Sequence, residues 1–426
     1  MNTQGEHVST RKKRVSRVVA VSIVATVAVA LVAPVAARGA PSVRGFSNGT
    51  ITVAGMGYAA NFDPDGTIGA TARFKRFNDD GEIKGIKIEY KEFADDNQDP
   101  AKSLNEARRL VQQVGVFAIV PNLSDTNPGA FLKQQHVPYF GWAFDDTYCS
   151  ASPSTQVWGF GFNGCLVPAH PKKMPGTGAD QLYKYVNEKT GKEHPTIALY
   201  STDTQAGRDS TGFQASSFAG AGFDVVYSKG TIPATSVTDY TPYVQALMTA
   251  DNGKPPDAMV CLLATQCINT YTLIKAGNYT GTFWSALFDP RLVGTFSGAV
   301  SLASFQPTQE PSPANQQMQK DVDAIKSGAQ LTSGAVAGYF AADFFIQALK
   351  KAGSSPTPEK VQAAASKMTF QIKGLVGPTK YPDSTVIPTP SCSALMASDG
   401  TQFTVVNPYE CSSKQYPVKA KYRDRG

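Results

Sequence analysis

Two glycine-containing motifs match signatures of chemistry. Residues 45–49 read G-F-S-N-G, the pattern of a serine nucleophile held on a strained turn between a strand and a helix. Here the motif precedes the first predicted strand instead of following one, so we interpret it as a flexible N-terminal segment of the mature chain. A secreted α/β hydrolase that uses Ser47 is the least favoured hypothesis.

Residues 159–164 read G-F-G-F-N-G, the spacing of a dinucleotide-binding loop. Such a loop requires a helix that opens at the third glycine, because the helix N-terminal amides bind the pyrophosphate. Pro168 and Pro171 follow instead, so this segment is predicted to be an irregular crossover. The few histidines lie in separate segments, and the cysteines lack metal-ligand spacing. We therefore predict no catalytic residue, no metal site, no cofactor and no enzymatic activity.

The six cysteines fall into three local pairs along the chain, and each pair brackets an apparent loop or hairpin. Disulfides are typical of exported proteins. Neighbour pairing is the favoured connectivity, although the sequence leaves others open. The pairs are Cys149 with Cys165, Cys261 with Cys267, and Cys392 with Cys411.

Aromatic and polar side chains are concentrated in the loops that follow predicted strands. Ligands of open α/β sheets bind at the carboxyl ends of the strands, where such loops converge, and this mixture of side chains suits a pocket for a small organic molecule. Single members, such as Ser124 or Asp203, could instead cap the next helix. The candidate ligand-binding residues are Tyr58, Phe62, Ser124, Asp125, Trp142, Ala143, Phe144, Asp145, Asp203, Gln205, Thr265, Gln266, Phe288 and Asp289.

The elements that must position these loops alternate between strand and helix, which predicts βαβ units and a mostly parallel sheet. An irregular segment at 158–175 separates two such halves. An amphipathic helix at 335–352 and a hairpin-like region at 377–411 follow. The predicted strands are 51–56, 86–90, 116–120, 137–142, 196–200, 224–227, 258–263 and 282–286. The predicted helices are 66–78, one that begins at 100, 128–135, 180–190, 205–221, 240–249 and 267–276.

The first 37 residues have the features of an export signal. A basic cluster at 11–17 precedes an uncharged apolar run at 18–33, and Pro34 and small residues at 35–37 provide a cleavage site. Cleavage is predicted, with an uncleaved membrane anchor as the alternative. The mature protein is therefore expected to be secreted or extracytoplasmic and associated with the cell envelope.

Length and composition limit the classes of protein. The 426 residues exceed a single core of roughly 250–300 residues. A hydrophobic fraction of 42% and a charged fraction of 17% exclude a polytopic membrane protein and a disordered chain. Residues 1–37 hold five of the 40 Lys and Arg and one of the 34 Asp and Glu, so their removal lowers the net charge from +6 to +2. No nucleic-acid partner is predicted.

Several segments resemble type I periplasmic binding proteins. The segments G-T-I-G-A at 66–70, F-N-D-D-G-E-I-K-G at 77–85 and D-D-N-Q-D-P at 95–100 carry the resemblance, which continues in order at 117–122, 137–140, 273–277 and 339–343. It covers about residues 50–410 and is nearest to the leucine/isoleucine/valine-binding branch. It implies an α/β fold of two Rossmann-like lobes with parallel sheets, joined by three crossovers. Lobe 1 would comprise 45–162 and 306–376, and lobe 2 would comprise 163–305 and 377–415.

The resemblance also implies a function. The chain would be the substrate-binding protein of an ABC importer, a monomer that captures a small organic solute and delivers it to a permease. The solute would be an amino acid, an amide, or a hydrophobic or aromatic carboxylate. A membrane-anchored ligand-sensing receptor ectodomain of the same fold is the alternative function.

Ser124, Ala143 and Asp145 would lie where relatives hold the carboxylate and the amine of a ligand. The chain departs from these relatives at three points. Relatives that bind amino acids usually have a Ser/Thr-rich carboxylate clamp, whereas this chain has S-D-T at 124–126 and W-A-F-D at 142–145. Ala206 stands where many of them carry an aromatic residue, and the acidic group for an amine is displaced to Asp289. These departures argue against a branched-chain amino acid and favour a partly aromatic pocket.

Overall fold

The computed structural model describes residues 43–149, 156–168, 171–233, 237–263, 266–285, 288–381 and 391–422. The predicted signal at 1–37 and the candidate residue Thr265 lie outside these ranges. No helix within them is long and apolar enough to cross a membrane.

The first sheet has six strands, which are β1 Phe46–Ser47, β2 Thr50–Gly57, β3 Lys87–Asp95, β4 Ala118–Leu123, β5 Tyr139–Gly141 and β6 Gly159–Gly161. Strands β3, β2, β4, β5 and β6 run parallel in that order, and β1 pairs antiparallel with β2. The inner strand β4 is buried along its whole length, as expected where helices cover both faces of a parallel sheet. The helices are α1 Ala59–Phe62, α2 Asp65–Asp80, α3 Pro100–Arg109 and α4 Gly129–Gln134, and a π-helical turn at Leu110–Val114 extends α3.

Two predictions for this half are wrong. Residues 45–49 are not a flexible segment, because β1 forms a hairpin with β2 in which Phe46 pairs with Ile51. Asn48 and Gly49 both have positive φ, and Asn-Gly is the dipeptide that two-residue hairpin turns favour. The segment 158–175 is not wholly irregular, because its glycine-flanked strand β6 completes the first sheet. No helix opens at Gly164, as predicted.

The remaining strands are β7 Lys173–Pro175, β8 Thr196–Thr202, β9 Asp224–Ile232, β10 Ala258–Cys261, β11 Thr282–Ser285, β12 Val300–Ala303, β13 Thr369–Ile372, β14 Val376–Lys380, β15 Ser391–Ser398, β16 Phe403–Ser412 and β17 Gln415–Pro417. Seven of them form the second sheet in the order β16-β15-β12-β11-β10-β8-β9, in which β8 to β12 are mutually parallel and β15 and β16 are antiparallel additions. Two small antiparallel pairs, β13 with β14 and β7 with β17, lie beside this sheet. The helices are α5 Thr177–Thr190, α6 Gln205–Ala221, α7 Thr241–Met248, α8 Gln266–Ala276, α9 Pro313–Asp323, α10 Ser333–Ala352 and α11 Pro358–Ala365.

Helix α10 returns the chain to the first sheet, where it packs on α2, β4 and β5. The contact with α2 is close, because a Cβ added at Gly69 would lie 1.9 Å from the carbonyl oxygen of Ala335. Its predicted core residues, Tyr339, Phe340, Phe344, Phe345 and Leu349, are all buried. The chain therefore passes between the sheets three times: after β6, after β12 and before β15.

The three disulfides pair sequence neighbours, as predicted. Cys149 bonds to Cys165, and Cys261 at the end of β10 bonds to Cys267 in α8. Cys392 and Cys411 are opposite residues of the antiparallel pair β15 and β16. The first bond links the loop after β5 to the segment that leaves the first sheet.

Candidate functional site

Aromatic side chains at the carboxyl ends of the first sheet form a continuous row. Phe62 follows β2, and Trp142 and Phe144 follow β5. The ring centroid of Phe144 lies 5.9 Å from that of Phe62 and 5.2 Å from that of Trp142, and both pairs are stacked. Phe62 is buried, whereas Trp142 and Phe144 are half-buried. We call these three side chains the aromatic row. The structure therefore brings three of the predicted ligand-binding residues into contact.

Further ring contacts extend from the aromatic row through the core to the second sheet. Trp142 packs on Phe162 at 5.5 Å, and Phe162 packs on Phe340 of α10 at 5.4 Å. Phe305, which follows β12, then connects Phe340 to Phe288 through centroid distances of 5.7 and 6.1 Å. Phe288 is 3% exposed and also packs on Phe403 of β16. The structure thus places Phe288 in the packing between the sheets.

Asp145 lies directly after the aromatic row and begins the turn at Asp146–Tyr148. Its Oδ1 accepts hydrogen bonds from the backbone amide and the hydroxyl of Thr147, at 2.8 and 2.5 Å. Its Oδ2 is buried, and none of the described residues is hydrogen-bonded to it. Burial raises the pKa of Asp145 to about 7, although the bonds from Thr147 oppose the shift. A carboxyl oxygen without a partner can take a hydrogen-bond donor from a ligand.

The loop after β4 is ordered by its own hydrogen bonds. Ser124 is fully buried; its amide donates to Oδ1 of Asn122 at 3.1 Å, and its Oγ accepts from the amide of Thr126 at 3.2 Å. Asp125 is exposed and accepts from the side-chain amide of Gln98 at 3.0 Å. The described contacts of these residues therefore hold the loop itself. Ser124 does not cap the next helix, α4, because the N-cap position of α4 is Pro128.

Asp289 contributes a second carboxylate, on the loop after β11. It is 4% exposed, and Arg291 donates to both of its oxygens, from Nε at 3.0 Å and from Nη2 at 2.8 Å. The same guanidinium reaches Asp65, the first residue of α2, through Nη1 at 2.8 Å. Ser333 Oγ also donates to Asp289 Oδ2 at 3.4 Å. This Asp65–Arg291–Asp289 ion-pair group links the second sheet to the helices of the first.

The other predicted residues lie at strand ends in separate contacts. Tyr58 precedes α1 and is half-buried, and the buried Ala143 donates its amide to Oδ1 of Asn163 at 3.4 Å. Asp203 and Gln205 are exposed at the carboxyl end of β8, where both accept from Arg208. Gln266 is the first residue of α8.

Sequence reasoning missed residues that lie away from strand ends in the chain. Asp65 and Thr332, whose hydroxyl donates to Asp65 Oδ2 at 2.9 Å, stand at helix starts. Arg291 follows the predicted Asp289 by two positions, and a cation this close to a predicted carboxylate is the signal that could have identified it. Among the described residues, no cluster of three His, Cys, Asp or Glu side chains could hold a metal ion.

The two α/β sheets, the three passages between them and the loops at the strand ends define a two-lobed ligand-binding fold of the periplasmic type. The family model for periplasmic binding proteins matches residues 51–398. The chain belongs to the periplasmic binding protein family, whose members are extracytoplasmic binding proteins. A search of curated sequences found no match.

Solved structures agree on the fold. The chain is similar to a fatty acid ABC transporter substrate-binding protein from Thermomonospora curvata, with 16% identity, a TM-score of 0.65 and coverage of 88% of this chain and 96% of that one. It is similar to a solute-binding protein from R. palustris in complex with benzoate, with 13% identity, a TM-score of 0.64 and coverage of 85% and 98%. It is also similar to the branched-chain amino acid transporter substrate-binding protein LivJ from Streptococcus pneumoniae in complex with isoleucine, with 18% identity, a TM-score of 0.62 and coverage of 84% and 100%. At these identities the likeness establishes the fold.

Proposed function

We propose that this protein is the extracytoplasmic substrate-binding protein of an ABC importer and that it binds a small organic solute without transforming it. Residues 1–37 act as its export signal. Lobe 1 comprises 45–162 and 306–376, lobe 2 comprises 163–305 and 377–415, and the mature protein acts as a monomer. The similar structures, which include complexes with benzoate and with isoleucine and a fatty acid ABC transporter substrate-binding protein, support this choice of solute class.

The observation that carries the proposal is the aromatic row at the carboxyl ends of the strands. Asp145, which follows Phe144 in the chain, adds a buried oxygen to which no described residue is hydrogen-bonded. Phe62, Trp142 and Phe144 present ring surface at the carboxyl ends of the strands, where open α/β sheets bind ligands. A solute with a flat apolar body would pack on these rings. A donor group on the solute, such as an amide or an ammonium, would bond to Asp145 Oδ2.

Binding would act by shifting a population of conformations. A solute held by loops of both lobes stabilises the closed state, because it contacts both lobes only when they are together. The permease then recognises the closed state. A micromolar dissociation constant corresponds to about −8 kcal/mol, which is within reach of one aromatic contact surface and a few hydrogen bonds.

Thermal-shift screening of the mature protein followed by calorimetric titration tests the proposal. The panel contains amino acids, their amides, benzoate-type acids and short fatty acids. One class is expected to raise the melting temperature and to bind with a micromolar dissociation constant. Trp142→Ala is expected to weaken that binding about tenfold or more, because it removes a stacked ring and its buried area.

Tyr243→Ala is the matched control, since Tyr243 is a half-buried aromatic residue on α7, outside the candidate site. Its binding constant is expected to stay within about twofold of wild type. Silence across the whole panel, or equal affinity of the Trp142→Ala variant, would reject the proposed site.

A further inference from the structure

A cavity of about 140 Å³ lies beside the passages between the two sheets, apart from the aromatic row. Its wall includes Asn163 from the segment after β6, Ser304 after β12 and Gly377 from β14. Trp284 of β11 and Tyr409 of β16 add aromatic surface from the second sheet. Each of the three connections between the sheets therefore contributes to one cavity.

Two buried donors on this wall, Nδ2 of Asn163 and Nε1 of Trp284, have no hydrogen-bond partner among the residues that the structure describes. Trp284 is 5% exposed, so bulk water does not satisfy its indole N–H. The orientation of the Asn163 amide is set, because its Oδ1 accepts from the amide of Ala143. Buried donors in native structures nearly always have a partner, so these groups are arranged for an acceptor.

The chemistry of the wall selects the kind of acceptor. None of the described residues that line the cavity has a charged side chain, and an anion buried without a counter-charge is strongly disfavoured. Apolar side chains such as Phe218 and Leu302 form much of the remaining wall. The volume is close to the roughly 150 Å³ of a protein cavity that holds benzene. Leu166 lines the cavity and is 37% exposed, so this part of the cavity wall lies at the protein surface.

We propose that this cavity is a second small-molecule site, which takes a neutral molecule with a six-membered ring and a carbonyl oxygen. The oxygen accepts hydrogen bonds from Trp284 Nε1 and Asn163 Nδ2, and the ring packs against Phe218 and Leu302. This site is separate from the solute site proposed above, and either can exist without the other.

The cavity is also connected to the solute site. Asn163 bonds to the amide of Ala143, which lies between Trp142 and Phe144. Cys165 lines the cavity, and its disulfide partner Cys149 ends the turn that Asp145 begins. Occupancy of the cavity therefore alters the support of the loop that carries the aromatic row.

Tryptophan labelled with ¹⁵N at the indole gives the direct test, because the chain has only three tryptophans. Cyclohexanone is titrated into the mature protein while the indole N–H signals are recorded. The Trp284 signal, assigned by its loss in Trp284→Phe, is expected to move downfield with saturable, millimolar binding, as a new hydrogen bond requires. The Trp158 signal is the internal control and is expected to stay in place. Toluene, which has no acceptor, is expected to leave the Trp284 proton without a downfield shift.

Asn163→Asp provides a second variant, because it keeps Oδ1 for Ala143 and replaces the free donor with an oxygen. It is expected to weaken cyclohexanone binding about tenfold, with an unchanged circular dichroism spectrum. Absence of a saturable Trp284 shift in the folded wild-type protein would overturn the proposal. A high-resolution structure with only water in the cavity at saturating cyclohexanone would overturn it as well.

Discussion

Burial places the pKa of Asp145, the residue that follows Phe144 in the chain, near neutrality. Burial raises its pKa from an ordinary value of 3.8 to about 7. The folded state therefore binds the proton more tightly than the unfolded state does. By linkage, the contribution of Asp145 to the free energy of unfolding is greatest below pH 4 and is lost as the pH rises toward 7.

We expect this dependence to disappear in Asp145→Asn. The free energy of unfolding of wild type, measured relative to Asp145→Asn by urea denaturation, should fall between about pH 4 and pH 7 and level off above pH 7. Asparagine can still accept the amide of Thr147, so the turn should persist. A difference between the two proteins that is constant from pH 4 to pH 8 would contradict the raised pKa.

At this scale the sequence predicts residue types better than their contacts. The sequence predicts that Phe62, Trp142 and Phe144 lie close together, because residues in the loops after strands lie at a common edge of the sheet. The sequence does not predict a role for Arg291, because that role depends on an ion pair with Asp65. Asp65 is distant in the chain and approaches Arg291 only when the two sheets pack together. The sequence also does not predict that Oδ2 of Asp145 lacks a hydrogen-bond partner among the described residues, because this depends on burial of the side chain in the fold.

Helices α2 and α10 are joined by a buried ion-pair network as well as by close backbone contact. Arg73 of α2 is 4% exposed; its Nε donates to Asp343 of α10 at 2.6 Å and its Nη1 donates to Glu82 at 2.6 Å. Lys350 of α10 also binds Glu82. Burial opposes ionisation of Glu82, but the hydrogen bonds from Arg73 and Lys350 lower its pKa to about 2.

We expect Arg73→Met to lower the free energy of unfolding by about 3–5 kcal/mol, because it leaves Asp343 and Glu82 buried without their main cation. Urea denaturation at pH 7 measures this loss. Because the pKa of Glu82 is depressed in the folded state, the stability from its pairing is present above about pH 4.5 and is lost as the pH falls toward 2. The effect of Arg73→Met should therefore shrink over that interval.

Lys75→Met on the same helix is the matched control. Lys75 pairs with Asp79 at 2.5 Å, but their side chains are 46% and 59% exposed, so its loss should cost about 0–1 kcal/mol. Equal losses in the two variants would mean that the Arg73 network does not hold α2 against α10.

Elements with strong local signals were predicted closely, and elements without them were not. The sequence predicts α6 at its observed bounds, 205–221, and α3 at its observed start, where Asp99 accepts from the amide of Lys102 and Pro100 follows. Strand β6 is only three residues long and two of them are glycine, so no periodic pattern distinguishes it from a loop. Its strand state comes from pairing with β5, a contact that local sequence does not report.

The two sheets meet through an apolar core and one charged link, and these respond differently to opening. The rings from Phe162 to Phe288 are buried in one continuous cluster. The Asp65–Arg291–Asp289 group lies nearer the surface, with Arg291 49% exposed. Water can therefore reach the charged contacts more easily than the apolar core, so we expect this group to separate first if the two proposed lobes move apart.

We expect Arg291→Met to favour the open form of the whole molecule. The variant leaves the buried carboxylate of Asp289 without its cation, and Asp289 regains solvation when the loop after β11 moves away from α2. Without ligand, the radius of gyration measured by small-angle X-ray scattering should exceed that of wild type. Solute affinity should fall about tenfold, in proportion to the lost fraction of closed conformations.

Arg208→Met separates this effect from a general loss of positive charge. Arg208 lies on α6 and contacts Asp203 and Gln205 within the same region of the second sheet, so its loss breaks no link to α2. Its radius of gyration should match wild type. If Arg291→Met also matched wild type in radius of gyration and in affinity, the charged link would have no part in closure, and the apolar cluster alone would set the distance between the lobes.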